Sequence, residues 1–182
     1  MALTNPDQLN KSLYVIAKVA VANNHVKALK ECLKCGVHPT AEGTARPLAR
    51  TAIIKSNIKA FKALMSAGLD INENYDYGGN ALITSIRANQ LDMTTFLLES
   101  KAELESDRLM SYCHEPLATA ALINSTEMIS LLLAHDIKIP NSLALHEAAS
   151  GERIEQIKCL LSAGADINEN PKADHIHTWP SD

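Results

Sequence analysis

The sequence predicts an all-α solenoid of about five stacked helix-turn-helix pairs, and three observations carry that expectation. First, SAGLDINEN at 66–74 returns as SAGADINEN at 162–170. Extended back two residues, LMSAGLDINEN and LLSAGADINEN match at nine of eleven positions. Second, weaker copies lie around them: LKCGVHP at 33–39, LLESKAELE at 97–105 and LLAHDIKIP at 132–140. Aligned on the glycine, the five copies mark Gly36, Gly68, Lys101, Asp136 and Gly164, at spacings of 32, 33, 35 and 28 residues. Third, aromatic residues make up only 4% of the 182, while Ala and Leu abound. That composition suits short, closely packed helices better than a sheet core.

The elements follow in order. The first pair runs from about Lys11 through Val15, Ala20 and Val21 to Asn24, then Val26, Leu29, Cys32 and Leu33. The second has Pro47, Leu48, Ala52 and Ile53, then Ile58, Phe61, Leu64 and Met65. The third has Ala81, Leu82, Ser85 and Ile86, then Asn89, then Phe96, Leu97 and Leu98. The fourth opens at Pro116, placed for a first helical turn, turns at Asn124 and continues with Ile129, Leu132 and Leu133. The fifth has Leu145, Ala148 and Ala149, a break at Gly151, then Ile154, Ile157, Leu160 and Leu161, and stops at Gly164. A left-handed residue belongs at that stop. Helices of two to three turns are marginal alone, but a stack of pairs buries every apolar stripe. The expected organisation is one domain, 1–170, with repeats near 11–43, 44–77, 78–112, 113–140 and 141–170. Residues 171–182 form a tail that caps the last repeat with Trp179 or serves as a partner motif.

The pattern resembles the ankyrin repeat, whose period is about 33 residues. Leu143-Ala144-Leu145-His146-Glu147-Ala148-Ala149 looks like that family's Thr-Pro-Leu-His-x-Ala-Ala. Leu160-Leu161-Ser162-Ala163-Gly164-Ala165-Asp166-Ile167-Asn168 looks like its Leu-Leu-x-x-Gly-Ala-Asp-Val-Asn. The resemblance spans about residues 11–170. Only repeat five keeps the histidine; Ala49, Ile83 and Ala118 stand there elsewhere. The resemblance implies an ankyrin-repeat solenoid with hairpin loops between repeats. It also implies a non-enzymatic scaffold that binds a protein through hairpin tips and the exposed side of each first helix, with His146 structural.

The residues point to candidate contacts within that frame. Tyr75, Tyr77 and Tyr112 fall in long inter-repeat loops, and tyrosine is enriched at interface hot spots; the competing reading packs Tyr75 and Tyr77 on the adjacent hairpin. Residues 69–80, 102–115 and 165–170 hold nine acids, Asp76 and Asp107 among them, against the single base Arg108. They carry −8 of a chain whose net charge is −4, so the remainder is +4. An acidic edge steers a basic partner surface toward it. Turn formation accounts for Asp70 and Asp166. Arg50, Lys55, Arg87 and Thr119 are expected on exposed first-helix positions, with Arg50 and Arg87 as anchors. Leu122 and Ile123 are expected to be buried. Asn72 and Asn168 resemble the asparagines hydroxylated in ankyrin proteins of animal cells, although the repeat consensus contains them anyway.

Several classes are set aside. Mild acidity argues against nucleic acid, and no apolar run is long enough to span a membrane. MALTNPDQLNKS is not a signal of the basic-then-apolar type. Cys32-x-x-Cys35 lacks a second pair of ligands for zinc. Cys113-His114-Glu115 are neighbours in sequence, which rarely point at one another. The Asp174-His175-Ile176-His177 tail is no preformed metal site. No phosphate loop, dinucleotide fingerprint, zinc-protease helix or nucleophile elbow occurs. No cofactor and no metal are expected. The cysteines read as reduced thiols, and the chain as a cytoplasmic monomer. The alternative is a targeting or regulatory part of a larger enzyme, or an effector that a bacterium secretes into host cytoplasm.

Overall fold

Every helix among the described residues ends on a residue with left-handed backbone, and this shared ending organises the fold. The computed structural model describes residues 6–39, 48–73, 79–103, 116–139 and 142–168. They form α1 (Pro6–Ala22), α2 (Val26–Lys34), α3 (Leu48–Ile54), α4 (Ile58–Ser66) and α5 (Ala81–Arg87). Then come α6 (Leu91–Glu99), α7 (Pro116–Leu122), α8 (Thr126–Leu133), α9 (Ala144–Ser150) and α10 (Ile154–Ser162). No strand occurs among the described residues. Pro6 and Pro116 occupy first helical positions, where the missing N–H would be unpaired anyway. With its start at Pro6, α1 runs 17 residues and begins before the Lys11 that periodicity alone indicates.

The ten left-handed residues that end helices are Asn24, Gly36, Ser56, Gly68, Asn89, Lys101, Asn124, Asp136, Glu152 and Gly164, with φ from 49° to 99°. All five positions aligned on the repeated glycine are therefore left-handed. Every terminus but that of α8 is built as a Schellman turn, which satisfies carbonyls the helix leaves open. After α4, Gly68 N donates to Met65 O at 3.0 Å and Leu69 N to Leu64 O at 3.1 Å. After α10, Gly164 N donates to Leu161 O and Ala165 N to Leu160 O, both at 3.0 Å. The turn inside each pair uses the same bonds: Asn57 N to Ala52 O at 2.7 Å, Gln90 N to Ser85 O at 3.0 Å, Arg153 N to Ala148 O at 2.9 Å. Only three of the ten are glycine. In the fifth pair the left-handed residue is Glu152 and not Gly151, whose φ is −95°. Gly151 is small for another reason. A Cβ there would lie 2.0 Å from the Arg153 guanidinium, which crosses it to reach Glu147 O at 2.8 Å.

The chain divides into two compact units, residues 1–102 and 103–182. In the first, α1 packs on α3 and α3 on α5, while α2 packs on α4. Phe61 of α4 meets Phe96 of α6 edge-on, with ring centroids 6.2 Å apart at 79°, a favourable aromatic geometry. Its core includes Leu29, Leu48, Ile53, Phe61, Leu64, Leu82, Ile86 and Leu97, all fully buried. On α1 the buried residues are Ala17, Ala20 and Val21, whereas Val15 is 59% exposed. Val15 thus lies off the buried stripe to which the periodicity assigned it. Two side-chain amides tie successive pairs together. Asn57 Nδ2 donates to Val21 O at 2.9 Å, and Gln90 Nε2 to Ile54 O at 3.2 Å. Both links span 36 residues, so they join equivalent places one repeat apart.

In the second unit α7 packs on α9 and α8 on α10. Six of the seven α7 residues are buried, Pro116 through Ala121. The small side chains Ala118, Ala120 and Ala121 let the backbone of α9 approach closely. Leu117, Met128, Ile129, Leu132 and Leu160 supply the apolar volume. Such burial drives association at roughly 25 cal/mol per Å² of apolar surface.

Candidate protein-binding surface

The turns that follow α4 and α10 are each built from an aspartate. Asp70 Oδ1 accepts a hydrogen bond from Asn72 N at 2.9 Å, and Asp166 Oδ1 from Asn168 N at 2.8 Å. These are Asx turns, in which a side-chain oxygen takes a backbone donor two residues on. They account for the DIN triplet in both copies. Asp70, Asp166 and Asn168 are exposed and Asn72 is half-buried, so Asn72 and Asn168 hold equivalent places with unequal access.

Tyr75, Asp76 and Tyr77 lie outside the described residues, as do Asp107, Arg108 and Tyr112. Cys113, His114, Glu115 and the tail with Trp179 do too. The described shoulders of the loops carry the same sign as the whole: Asp70, Asp166 and Glu103 are exposed acids, and Glu73 is half-buried.

The first-helix positions separate. Arg87 is exposed on the last turn of α5, where a cation also complements the helix C-terminus. Lys55 is exposed just beyond α3. Arg50 differs from expectation: it is half-buried, and its Nε is enclosed with no hydrogen-bond partner among the described residues. Long cationic side chains commonly bury their stems in this way. Thr119 is fully buried, not exposed, because a hydroxyl of that size fits where α7 meets its neighbours. Leu122, expected inside, is 37% exposed, since it is the last residue of α7 and faces away from α9. Ile123 is half-buried.

The sequence reading passed over an apolar face on α1, where Ile16 and Val19 join Val15 at more than half exposure. The signal was present: these residues stand opposite Ala17, Ala20 and Val21 on a helical wheel. The periodicity placed Val15 on one stripe with Ala20 and Val21 and left Ile16 and Val19 unassigned.

The described thiols and His146 differ in burial. Cys32 is buried, and that burial pushes its thiol pKa up, with Cys35 adding a smaller upward push. Cys35 is exposed and Cys159 half-buried. His146 is exposed on α9. Among the described residues no group of three His, Cys, Asp or Glu could hold a metal, and no helix is long and apolar enough to cross a membrane.

A family model described as "Ankyrin repeats (3 copies)" matches residues 17–108, and a second, "Ankyrin repeat", matches 141–170. The chain belongs to the ankyrin repeat family. Among solved structures it is similar to the ankyrin repeat domain of human ASB11, at 22% identity and a TM-score of 0.69, covering 84% of this chain and 71% of that one. It is also similar to the ankyrin repeat domain of Bcl-3, described as a unique member of the IkappaB protein family. The identity there is 25% and the TM-score 0.71, covering 85% of this chain and 72% of that one. No curated protein matches its sequence. Ankyrin repeats are protein–protein interaction modules, and their fold is generally a scaffold without catalysis. The Schellman turns and paired helices described above are what such a scaffold requires.

Proposed function

We propose that this ankyrin repeat chain binds a partner protein with a basic surface. The contacts are the acidic, tyrosine-bearing loops and the exposed side of the first helices. The observation that carries this reading is charge segregation: residues 69–80, 102–115 and 165–170 hold −8 while the rest of the chain is +4. Tyr75, Tyr77 and Tyr112 supply contact area, Asp76 and Asp107 the attraction. Arg87 is the better-placed anchor on the first helices, and Arg50 contributes mainly through its packed stem. Arg108 offsets part of the local charge. The chain acts as a cytoplasmic monomer without a cofactor.

The test is an affinity capture from eukaryotic lysate, comparing wild type with a Tyr75→Ala/Tyr77→Ala/Tyr112→Ala variant of unchanged circular dichroism. The expected result is a partner held by wild type, weakened by salt and lost from the variant. Equal retention by both proteins would move the site away from these loops. Arg87→Ala should weaken the same complex, mainly through faster dissociation as the contacts of its side chain are lost.

A further inference from the structure

We propose that the outward face of α1 docks an acidic, amphipathic helix of a partner protein. The face lies apart from the acidic loops and from the Arg50 and Arg87 anchors invoked above, so it stands independently of that reading. On α1, Val15, Ile16 and Val19 are 59%, 52% and 54% exposed. Lys11, Ser12, Lys18 and Ala22 are exposed with them. Helical spacing gathers all seven on the side opposite the buried Ala17.

Two observations say what covers this face. The first is how the fold covers its other first helices. The second first-helix, α3, packs on both α1 and α5, and its Leu48, Ala49, Ala52 and Ile53 are buried. On α5, which packs on α3 and α6, six residues from Ala81 to Ile86 are buried. By contrast, α1 packs on α2 and α3 and still keeps three branched aliphatic side chains in solvent. Another helix laid against α1, as α3 lies against α5, is the cover this stack already uses. The second observation is charge. Residues 11–66 hold ten Lys and Arg against only Glu31 and Glu42, a net +8. Lys11 and Lys18 stand on the face itself, and Lys27 and Lys30 are exposed on α2, which packs on α1. Glu31 is paired with Lys34 at 2.8 Å. A surface of this sign attracts and selects an acidic partner.

An acidic amphipathic helix matches both observations. Its apolar residues at i, i+3, i+4 and i+7 settle among Val15, Ile16 and Val19, and its flanking carboxylates meet Lys11 and Lys18. An anionic membrane is the competing surface for a basic, apolar helix face. It fits less well, because the three aliphatics lie within five consecutive residues and the neighbouring aromatic, Tyr14, is half-buried rather than free to anchor in lipid.

Fluorescence anisotropy on the full chain tests this with the labelled peptide Ser-Glu-Ala-Leu-Glu-Glu-Leu-Leu-Glu-Ala-Leu-Glu-Glu. Saturable one-to-one binding is expected, weakened by salt, with none for the same peptide carrying Lys in place of every Glu. Val15→Ser/Val19→Ser changes only exposed positions and should weaken binding at least tenfold. If that variant fails to fold by circular dichroism, Val15→Ala/Val19→Ala is read the same way. Lys11→Gln/Lys18→Gln should weaken binding several-fold and flatten its salt dependence. The control Lys138→Gln/Lys158→Gln, in the other unit, should bind as wild type does. No binding by wild type, full retention by the valine variants, or equal loss with the control overturns the docking face. Tighter binding of wild type to phosphatidylserine vesicles than to the peptide, lost with the valine variants, would hand the face to a membrane and overturn the helix assignment. Self-association in sedimentation that the same variants abolish would hand it to a second copy of the chain, with the same consequence.

Discussion

The two units use the same turns but hold their helix pairs together differently. In residues 1–102, amides reach from one repeat to the previous one: Asn57 to Val21 O and Gln90 to Ile54 O. An aromatic pair, Phe61 with Phe96, joins the second helices, and Lys62 Nζ lies 5.0 Å from the Phe96 centroid. In residues 103–182, the equivalent turn residue Arg153 bends inward to Glu147 of its own pair, and close packing of small residues on α7 does the joining. The first arrangement specifies register through directional bonds. The second relies on fit between small side chains.

The largest expected effect that sharpens this contrast is at Phe61. It is fully buried, and Phe61→Ala should destabilise the protein by about 3–5 kcal/mol through cavity formation. Urea unfolding measures it, and hydrogen exchange should show α4 and α6 losing protection first. Next comes Asn57, which caps α4 by accepting from Ala60 N at 3.1 Å and also bonds Val21 O. Asn57→Ala should cost about 2 kcal/mol, since a cap and a buried inter-repeat bond are lost together. Arg153→Ala loses a single, half-exposed bond and should cost about 1 kcal/mol or less. Equal losses at the two positions would erase the distinction between the units.

Smaller effects probe the shared turns. Lys101 and Asp136 hold left-handed backbone at φ 63° and 58° without being glycine. Lys101→Gly and Asp136→Gly should each stabilise by about 1 kcal/mol, and Gly68→Ala should destabilise by about as much. A Cβ at Gly68 meets nothing within 4 Å, so the change is purely conformational. Thermal melts of the three variants check this. The smallest effect concerns thiols. Alkylation at mildly alkaline pH should label Cys35 well before Cys32, because Cys32 is 6% exposed and its raised pKa keeps less of it as thiolate. Faster labelling of Cys32 would mean that α2 opens readily.

Much of the repeat plan was legible because it is local. The stop after α10 is written as Gly164, the near-identical copy aligns with it on Gly68, and three weaker copies align on Gly36, Lys101 and Asp136. Those residues do take the same backbone state. The turn inside the fifth pair was misplaced by one residue, because glycine draws attention and Glu152 does not. Site residues were less legible. Arg50, Thr119 and Leu122 all sit on first helices or their ends, and sequence spacing ranked their exposure wrongly. Gln156 reads as an ordinary surface glutamine on α10.

By itself, then, the sequence determined the helix pairs, their period, the left-handed stops and the family. Each of these depends on residues within one or two turns of one another. Only the tertiary structure decided which face of α1 is covered, that Arg50 is packed, that Thr119 is inside and Leu122 is not, and that Gln156 is buried. Burial is set by what lies one repeat away, about 33 residues along the chain. A helical wheel gives a residue its direction but not the neighbour that direction meets.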